Sequence, residues 1–128
     1  MSFLSKIALA GTVAVTTMVP TLVFAEGDPE EGEKVFRRCR ACHVVDQEQN
    51  RVGPHLVGIM GREAGSVEGF NYSDAMKNSG ITWNEETIAA YLADPKGYIP
   101  GNRMAFAGLR QEQQITDVIA YLAAQTGS

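Results

Sequence analysis

The chain has 128 residues, of which 45% are hydrophobic and 8% aromatic, and its formal net charge is −4. This length predicts a single domain with a modest core, and the acidic balance does not suggest nucleic acid as a partner. The two cysteines, Cys39 and Cys42, stand close together, which excludes a framework of several disulfides.

Residues 1–25 have the pattern of a signal peptide. A short basic start precedes an apolar, uncharged run from Ile7 to Val19, and small residues stand at the minus-three and minus-one positions of a cut after Ala25. We therefore expect export to the periplasm and a mature domain of residues 26–128. An uncleaved membrane anchor is the alternative, although the run is short of the ~20 apolar residues that usually span a bilayer.

The mature part is predicted to be helical at both ends with a loop-rich middle. The first helix begins at Pro29 behind the capping residue Asp28 and runs toward Arg40. Residues 50–69 are rich in glycine, which indicates loop. The other predicted helices run from a Ser73 cap through Lys77, from about Thr82 or Asn84 to before Asp94-Pro95, and from about Arg110 to Gln125. No alternating strand pattern appears, so the predicted fold class is all-α.

Cys39-Arg40-Ala41-Cys42-His43 is a C-x-x-C-H motif, the attachment signature of c-type haem. Two thiols on one helical turn reach the two vinyl groups of one porphyrin edge, and His43 then projects onto the iron. A zinc site would need further cysteine or histidine ligands, and a thioredoxin-like redox pair expects a βαβ unit. A disulfide across this spacing is strained. Export favours haem, because haem attachment takes place outside the bacterial cytoplasm.

The residue at the sixth coordination position of the iron decides the function. An open position binds gases or peroxide, whereas a filled one gives an electron carrier. The candidates are Met60, Met76, Met104 and His55, and any of these methionines could instead serve as core packing. The late loop between two predicted helices favours Met104, because methionine with histidine is the electron-transfer arrangement.

The order of segments along residues 27–125 resembles class I cytochromes c, close to mitochondrial cytochrome c and the bacterial c2-type cytochromes. The segments that carry the resemblance, besides the C-x-x-C-H motif, are Val52-Gly53-Pro54-His55-Leu56, Gly69-Phe70-Asn71-Tyr72-Ser73-Asp74-Ala75, Gly80-Ile81-Thr82-Trp83, Tyr98-Ile99-Pro100-Gly101-Asn102-Arg103-Met104 and Ile119-Ala120-Tyr121-Leu122. The resemblance implies a small cytochrome c fold in which the N- and C-terminal helices cross at Gly32. Loops would wrap around one covalent haem c.

The resemblance also implies roles for individual residues. His43 and Met104 would be the axial iron ligands, and Cys39 and Cys42 would hold the haem by thioethers. The carbonyl of Pro54 would accept the other ring proton of His43 and orient the imidazole. The remaining haem-binding residues would be Arg62, Tyr72 and Trp83 near a propionate, Tyr91 beside the Met104 sulfur, and Asn102.

Two positions depart from the mitochondrial pattern. Asn102 stands where those members usually have a threonine bonded to a propionate, and an amide can donate there too. Met76 stands where they usually have an asparagine near buried water.

The implied function is electron transfer rather than enzymatic catalysis, by Fe(II)/Fe(III) cycling with both axial ligands kept. We expect a soluble monomeric shuttle with a membrane quinol-oxidising cytochrome complex as donor and a terminal oxidase or photosynthetic reaction centre as acceptor. By resemblance, a basic ring around the haem edge would steer acidic partners, namely Arg38, Arg51, Lys96, Arg103 and Arg110. A dedicated acceptor for a periplasmic dehydrogenase, or an open-site peroxidase or gas sensor, are the alternatives.

Overall fold

A computed structural model of the chain describes residues 9–18 and 26–125. Its helices are α1 (Pro29–Phe36), α2 (Asp74–Lys77), α3 (Glu85–Ala93), α4 (Pro95–Tyr98) and α5 (Glu112–Gln125). Strands are absent from these two ranges, where the only β-type pairing is an isolated bridge between Glu63 and Thr82. The predicted all-α class is confirmed. The predicted cut after Ala25 lies outside the described residues.

Helix α1 begins as predicted. The Asp28 side chain accepts hydrogen bonds from the backbone N–H groups of Glu30 and Glu31 at 2.9 and 3.4 Å. A cap of this kind stabilises a helix by about 1 kcal/mol. The predicted continuation toward Arg40 is wrong, because the regular helix ends at Phe36 and the chain continues in turns that mix bonds to the third and the fourth preceding residue.

Helices α1 and α5 cross at close range, as predicted. A Cβ atom at Gly32 would overlap the carbonyl oxygen of Asp117 and come within 2.8 Å of the Tyr121 Cβ atom. The rings of Phe36 and Tyr121 pack beside this point with centroids 5.2 Å apart. The carboxylate of Asp117 is buried and accepts a hydrogen bond from the Asp28 backbone N–H at 2.8 Å. The crossing thus fixes the start of α1 against the middle of α5.

Helix α2 has the predicted Ser73 cap, and α3 begins after Asn84, one of its two predicted starts. The Ser73 hydroxyl accepts from the Met76 N–H at 3.1 Å. At α3, the side chains of Asn84 and Thr87 each accept from the other's backbone N–H at 2.9 Å, which forms a capping box. The predicted short helix and the predicted end before Asp94 are both present.

Helix α4 was not predicted. It is a single turn that starts at Pro95, and the Asp94 carboxylate caps it by accepting from the Gly97 N–H at 3.0 Å. Helix α5 begins at Glu112 rather than near Arg110. These differences matter little for the architecture, but α4 introduces the loop that carries the late methionine.

The long loop between α1 and α2 wraps around the space left by the helices. Backbone hydrogen bonds tie it to the segment before α3, from the Gly61 N–H to the Trp83 carbonyl at 2.7 Å and from the Trp83 N–H to the Arg62 carbonyl at 2.8 Å. Buried side chains of α1, α3 and α5 complete the core, among them Phe36, Ile88, Tyr91, Val118 and Leu122. No described helix combines the length and the hydrophobicity needed to cross a membrane.

Candidate functional site

A cavity of about 520 Å³ lies inside the ring of helices and loops. Pockets for small molecules and cofactors typically measure about 300–1,000 Å³ and are mostly apolar. Apolar side chains from every surrounding element form most of its wall, including Leu56, Ile59, Phe70, Leu92, Phe106 and Leu122. The chain therefore encloses a space suited to a large, largely apolar group.

The C-x-x-C-H motif forms one wall of this cavity. After α1, the N–H of Cys39 donates to the Phe36 carbonyl at 2.7 Å, and the N–H of His43 donates to the Cys39 carbonyl at 2.9 Å. These turns continue the helical sense of α1, so the side chains of Cys39, Cys42 and His43 all line the cavity. No disulfide joins the two cysteines, and no cluster of three His, Cys, Asp or Glu that could hold a metal occurs in residues 9–18 and 26–125.

The imidazole of His43 is held in one orientation. Its Nδ1 lies 2.7 Å from the Pro54 carbonyl oxygen, and a carbonyl only accepts, so Nδ1 donates and Nε2 keeps its lone pair. Burial lowers the pKa of His43, although the Pro54 bond opposes this effect. A Cβ atom at Gly53 would collide with the imidazole ring. The result is a neutral, oriented imidazole, which is the form that binds a metal.

Met104 lines the same cavity from the loop between α4 and α5. The Tyr91 hydroxyl on α3 lies 3.7 Å from the Met104 sulfur, within reach to donate a hydrogen bond to it. Burial raises the pKa of Tyr91 to about 12, so this hydroxyl stays protonated near neutral pH. Of the other candidates for the sixth ligand, Met76 also lines the cavity, whereas Met60 and His55 are not among its lining residues.

Arg62 carries a polar atom without a partner. Its Nη1 donates to the carbonyls of His55 and Val57 at 3.0 and 3.2 Å, but its Nε is buried with no hydrogen-bond partner in the described residues. Burial lowers the pKa of Arg62, and the nearby Tyr72 opposes this effect. A half-buried guanidinium whose buried Nε has no partner is suited to an anionic acceptor.

Tyr72 and Trp83 line the cavity together with Arg62. The Tyr72 hydroxyl accepts from the Val67 N–H at 3.2 Å and retains its own proton for donation. Burial raises the pKa of Tyr72. The Trp83 ring packs against Tyr91 with centroids 5.1 Å apart. This corner fits a haem propionate, since it offers one buried cation and one free phenolic donor to an anion.

Asn102 does not have the predicted surroundings. It is 4% exposed but is not among the residues that line the cavity. Its amide nitrogen donates to the carbonyls of Pro95 and Ile99 at 2.7 and 2.8 Å, so both of its N–H groups are used inside the loop. The expected bond from Asn102 to a propionate is therefore not the arrangement this geometry favours.

The predicted basic ring divides into two groups. Arg38 and Arg103 line the mouth of the cavity, and Arg51 is exposed next to Val52, which lines it too. Lys96 and Arg110 are exposed and do not line the cavity. The sequence analysis did not assign Phe70 and Phe106, two loop residues that form part of the apolar wall. A single aromatic residue within a predicted loop was the signal that could have identified each of them.

A helical scaffold whose C-x-x-C-H motif opens onto a cofactor-sized cavity defines a c-type haem protein. The comparisons with known proteins are consistent with this class. The sequence model of the cytochrome c family matches residues 29–126. Cytochrome c2 of Rhodomicrobium vannielii is 48% identical over 123 residues, covering 95% of this chain and 96% of that protein.

Cytochrome c2 of Blastochloris viridis is 52% identical over 99 residues, covering 77% of this chain and 78% of that protein. The solved structure of cytochrome cH from Methylobacterium extorquens superposes with a TM-score of 0.73 at 44% identity, covering 77% of this chain and 99% of that one. This chain belongs to the cytochrome c family. Its cofactor is one haem c, and it is a monohaem electron carrier rather than an enzyme.

Proposed function

We propose that this protein is an exported, periplasmic cytochrome of the c2 kind that shuttles single electrons between membrane complexes. The observation that carries the proposal is that His43 and Met104 line one cavity, in which the Tyr91 hydroxyl donates a hydrogen bond to the Met104 sulfur. Histidine with methionine is the ligand pair of electron-transfer cytochromes. With both axial positions filled, no site remains for a gas or a peroxide.

The chain's own residues would hold the cofactor at fixed points. Cys39 and Cys42 would attach it by thioethers, and His43 would ligate the iron through Nε2 while Pro54 fixes the ring. The unpaired Nε of Arg62 supports a role in binding a propionate. Haem c supplies the one-electron Fe(II)/Fe(III) couple, and the apolar wall keeps water away from it.

The ligand assignment is tested by a matched pair of methionine substitutions. Met104→Leu keeps an apolar side chain of similar volume but removes the sulfur, so the ferric protein should lose the red absorption band of methionine–iron ligation and its potential should fall. Met60→Leu, outside the cavity lining, should keep both. An unchanged ferric spectrum in Met104→Leu would show that another group ligates the iron.

The proposed partners are a quinol-oxidising cytochrome complex as donor and a terminal oxidase or photosynthetic reaction centre as acceptor. Val52 is 80% exposed and follows the exposed Arg51 in the chain, and it lines the same cavity as Arg38 and Arg103. An apolar centre with a cationic rim suits brief docking of an acidic face, and such docking is fast and sensitive to salt.

Docking is tested with membranes that contain these complexes. The second-order electron-transfer rate should fall as salt rises, and Arg38→Gln and Arg103→Gln should lower the low-salt rate several-fold and flatten the salt dependence. Lys34→Gln removes an exposed charge on α1 away from the cavity and should change little. A salt-independent rate would contradict this docking mode. Comparable measurements with periplasmic dehydrogenases would reveal a dedicated acceptor.

The proposal of export rests on the sequence, in which an apolar, uncharged run at residues 7–19 precedes small residues before a cut after Ala25. The mass of the periplasmic holoprotein should correspond to one haem on a chain that starts at Glu26. A mass that retains the leader would favour the membrane-anchor alternative.

A further inference from the structure

The amide of Asn102 connects three parts of the molecule. Its nitrogen donates to the carbonyls of Pro95 and Ile99, at the start of α4 and just after its end. Its oxygen accepts from the Met104 backbone N–H at 3.0 Å and from the Tyr91 hydroxyl at 3.4 Å. A single buried side chain therefore links α4, α3 and the backbone of the proposed iron ligand.

The surroundings of this amide leave little freedom for the loop. The Lys96 ammonium donates to the backbone carbonyl oxygen of Asn102 and lies 3.5 Å from the side-chain oxygen of the same residue. The Tyr91 hydroxyl that reaches Asn102 also reaches the Met104 sulfur. Asn102 thus bonds the Met104 backbone N–H directly, and its side-chain oxygen shares the single proton of the Tyr91 hydroxyl with the Met104 sulfur.

We infer that Asn102 is a positioning residue that holds Met104 in place to ligate the iron, and not a haem propionate donor. The inference rests on the proposed role of Met104 as the sixth ligand. Two donors and one acceptor are needed at this point. An asparagine side chain supplies both kinds of group, whereas a threonine supplies one donor and an aspartate supplies none. The loop between α4 and α5 has no helix of its own before Glu112, and within it this amide is the side chain that bonds the Met104 backbone.

The experiment measures how easily imidazole displaces Met104 from the ferric holoprotein, followed by loss of the red methionine–iron band. Imidazole competes with the sixth ligand, so any loosening of Met104 raises the apparent affinity for imidazole. We expect Asn102→Ala and Asn102→Asp to bind imidazole at least about tenfold more tightly than the wild type. Asn102→Thr keeps one donor and one acceptor, so its imidazole affinity should lie between that of the wild type and that of these two variants.

The matched control is Asn84→Ala. Asn84 caps α3 at an exposed site, so its removal lowers general stability without touching the Met104 loop. Imidazole affinity should stay at the wild-type value in this variant. Equal increases in the Asn84 and Asn102 variants would reduce the effect to general destabilisation and overturn the inference. So would wild-type affinity in the Asn102 variants.

Met104→Leu distinguishes a wrong ligand assignment from a wrong positioning role for Asn102. If this variant keeps the red band, the ligand assignment itself is wrong. If it loses the band while the Asn102 variants bind imidazole like the wild type, the ligand assignment stands and only the positioning role is wrong. Where Asn102→Ala gives no holoprotein, Asn102→Thr provides the same comparison.

Discussion

The two sides of the cavity are built on different principles. The motif side, residues 36–54, is made of contacts close in sequence, from the turns after Phe36 to the bond between His43 and the Pro54 carbonyl. The assembled side, comprising Arg62, Tyr72, Tyr91 and Met104, brings side chains from separate segments to the cavity, and a hydrogen bond joins Tyr91 to Met104. A short stretch of sequence can encode the first side, but the second exists only once the fold is complete.

The two sides also differ in the groups that carry the structure. On the motif side, backbone donors and carbonyls set the geometry, so an added atom that clashes should disturb it most. On the assembled side, an amide, a phenol and a guanidinium set the geometry, so the loss of a donor or a charge should disturb it most. Substitutions on the motif side should therefore affect haem attachment, whereas those on the assembled side should mainly tune the attached haem.

The largest effect is expected from Gly53→Ala on the motif side. The new Cβ atom would collide with the His43 ring, which must keep its bond to the Pro54 carbonyl while facing the cavity. Clashes of this kind in a packed site cost about 1–3 kcal/mol or more. The yield of covalent holoprotein, measured by mass spectrometry and haem absorbance, should fall sharply.

Gly58→Asn is the control for this prediction. Gly58 has a φ of 66° with open space around a Cβ atom, and asparagine tolerates that conformation. Its holoprotein yield should stay close to that of the wild type. Normal yield and a normal spectrum in Gly53→Ala would mean that the His43 ring has room to move, and that the motif side is not sterically fixed.

A smaller effect is expected from Arg62→Met on the assembled side. A buried cation beside the haem favours the reduced state, which carries one positive charge less, so its removal should lower the reduction potential. We expect a fall on the order of 60 mV, equivalent to a tenfold shift in a one-electron equilibrium. Arg62→Lys keeps the charge and should fall less.

The control for Arg62 is Arg37→Met, which removes an exposed charge next to α1, away from the cavity lining. Redox titration of the three holoproteins at constant pH provides the comparison. If the potential of Arg62→Met equals that of the wild type, the unpaired Nε does not bind a propionate, and the assembled side lacks its proposed anion contact.

This difference between the sides explains what the sequence could predict. The caps at Asp28 and Ser73 were predicted because a cap depends on the next few residues, and Asn84 was one of the two predicted starts of α3. The C-x-x-C-H motif predicted the haem for the same reason. The end of α1 at Phe36 was not predicted, because local sequence does not separate a regular helix from the mixed turns that follow it.

Beside the assembled side, the sequence did not predict the hydrogen bonds of Asn102. Asn102 was assigned to a propionate through resemblance to chains with a threonine there, but an amide has a second donor, and the neighbouring carbonyls of α4 engage both. These hydrogen bonds of Asn102 depend on the single turn of α4, which is too short for periodicity to predict. Sequence thus predicted which residues gather at the cavity better than it predicted their hydrogen bonds.

The smallest effect is expected from Tyr72→Phe, also on the assembled side. The substitution removes the acceptor for the Val67 N–H and the free phenolic donor near Arg62. At neutral pH it should lower the potential by less than Arg62→Met does, because it removes a dipole and not a charge. Its main signature should be the pH dependence of stability.

Burial raises the pKa of Tyr72 above the ordinary value of 10.0 in the folded protein. Above pH 10 the unfolded chain therefore loses this proton first, and the free energy of unfolding of the wild type falls as pH rises toward the folded pKa. Tyr72→Phe lacks this contribution, while the other tyrosines are common to both chains. Denaturant titrations between pH 8 and pH 11 should show the wild type losing stability relative to the variant only above about pH 10. A constant difference over that range would mean that the phenol is solvated in the folded protein, and that this corner is open to water rather than closed around an anion.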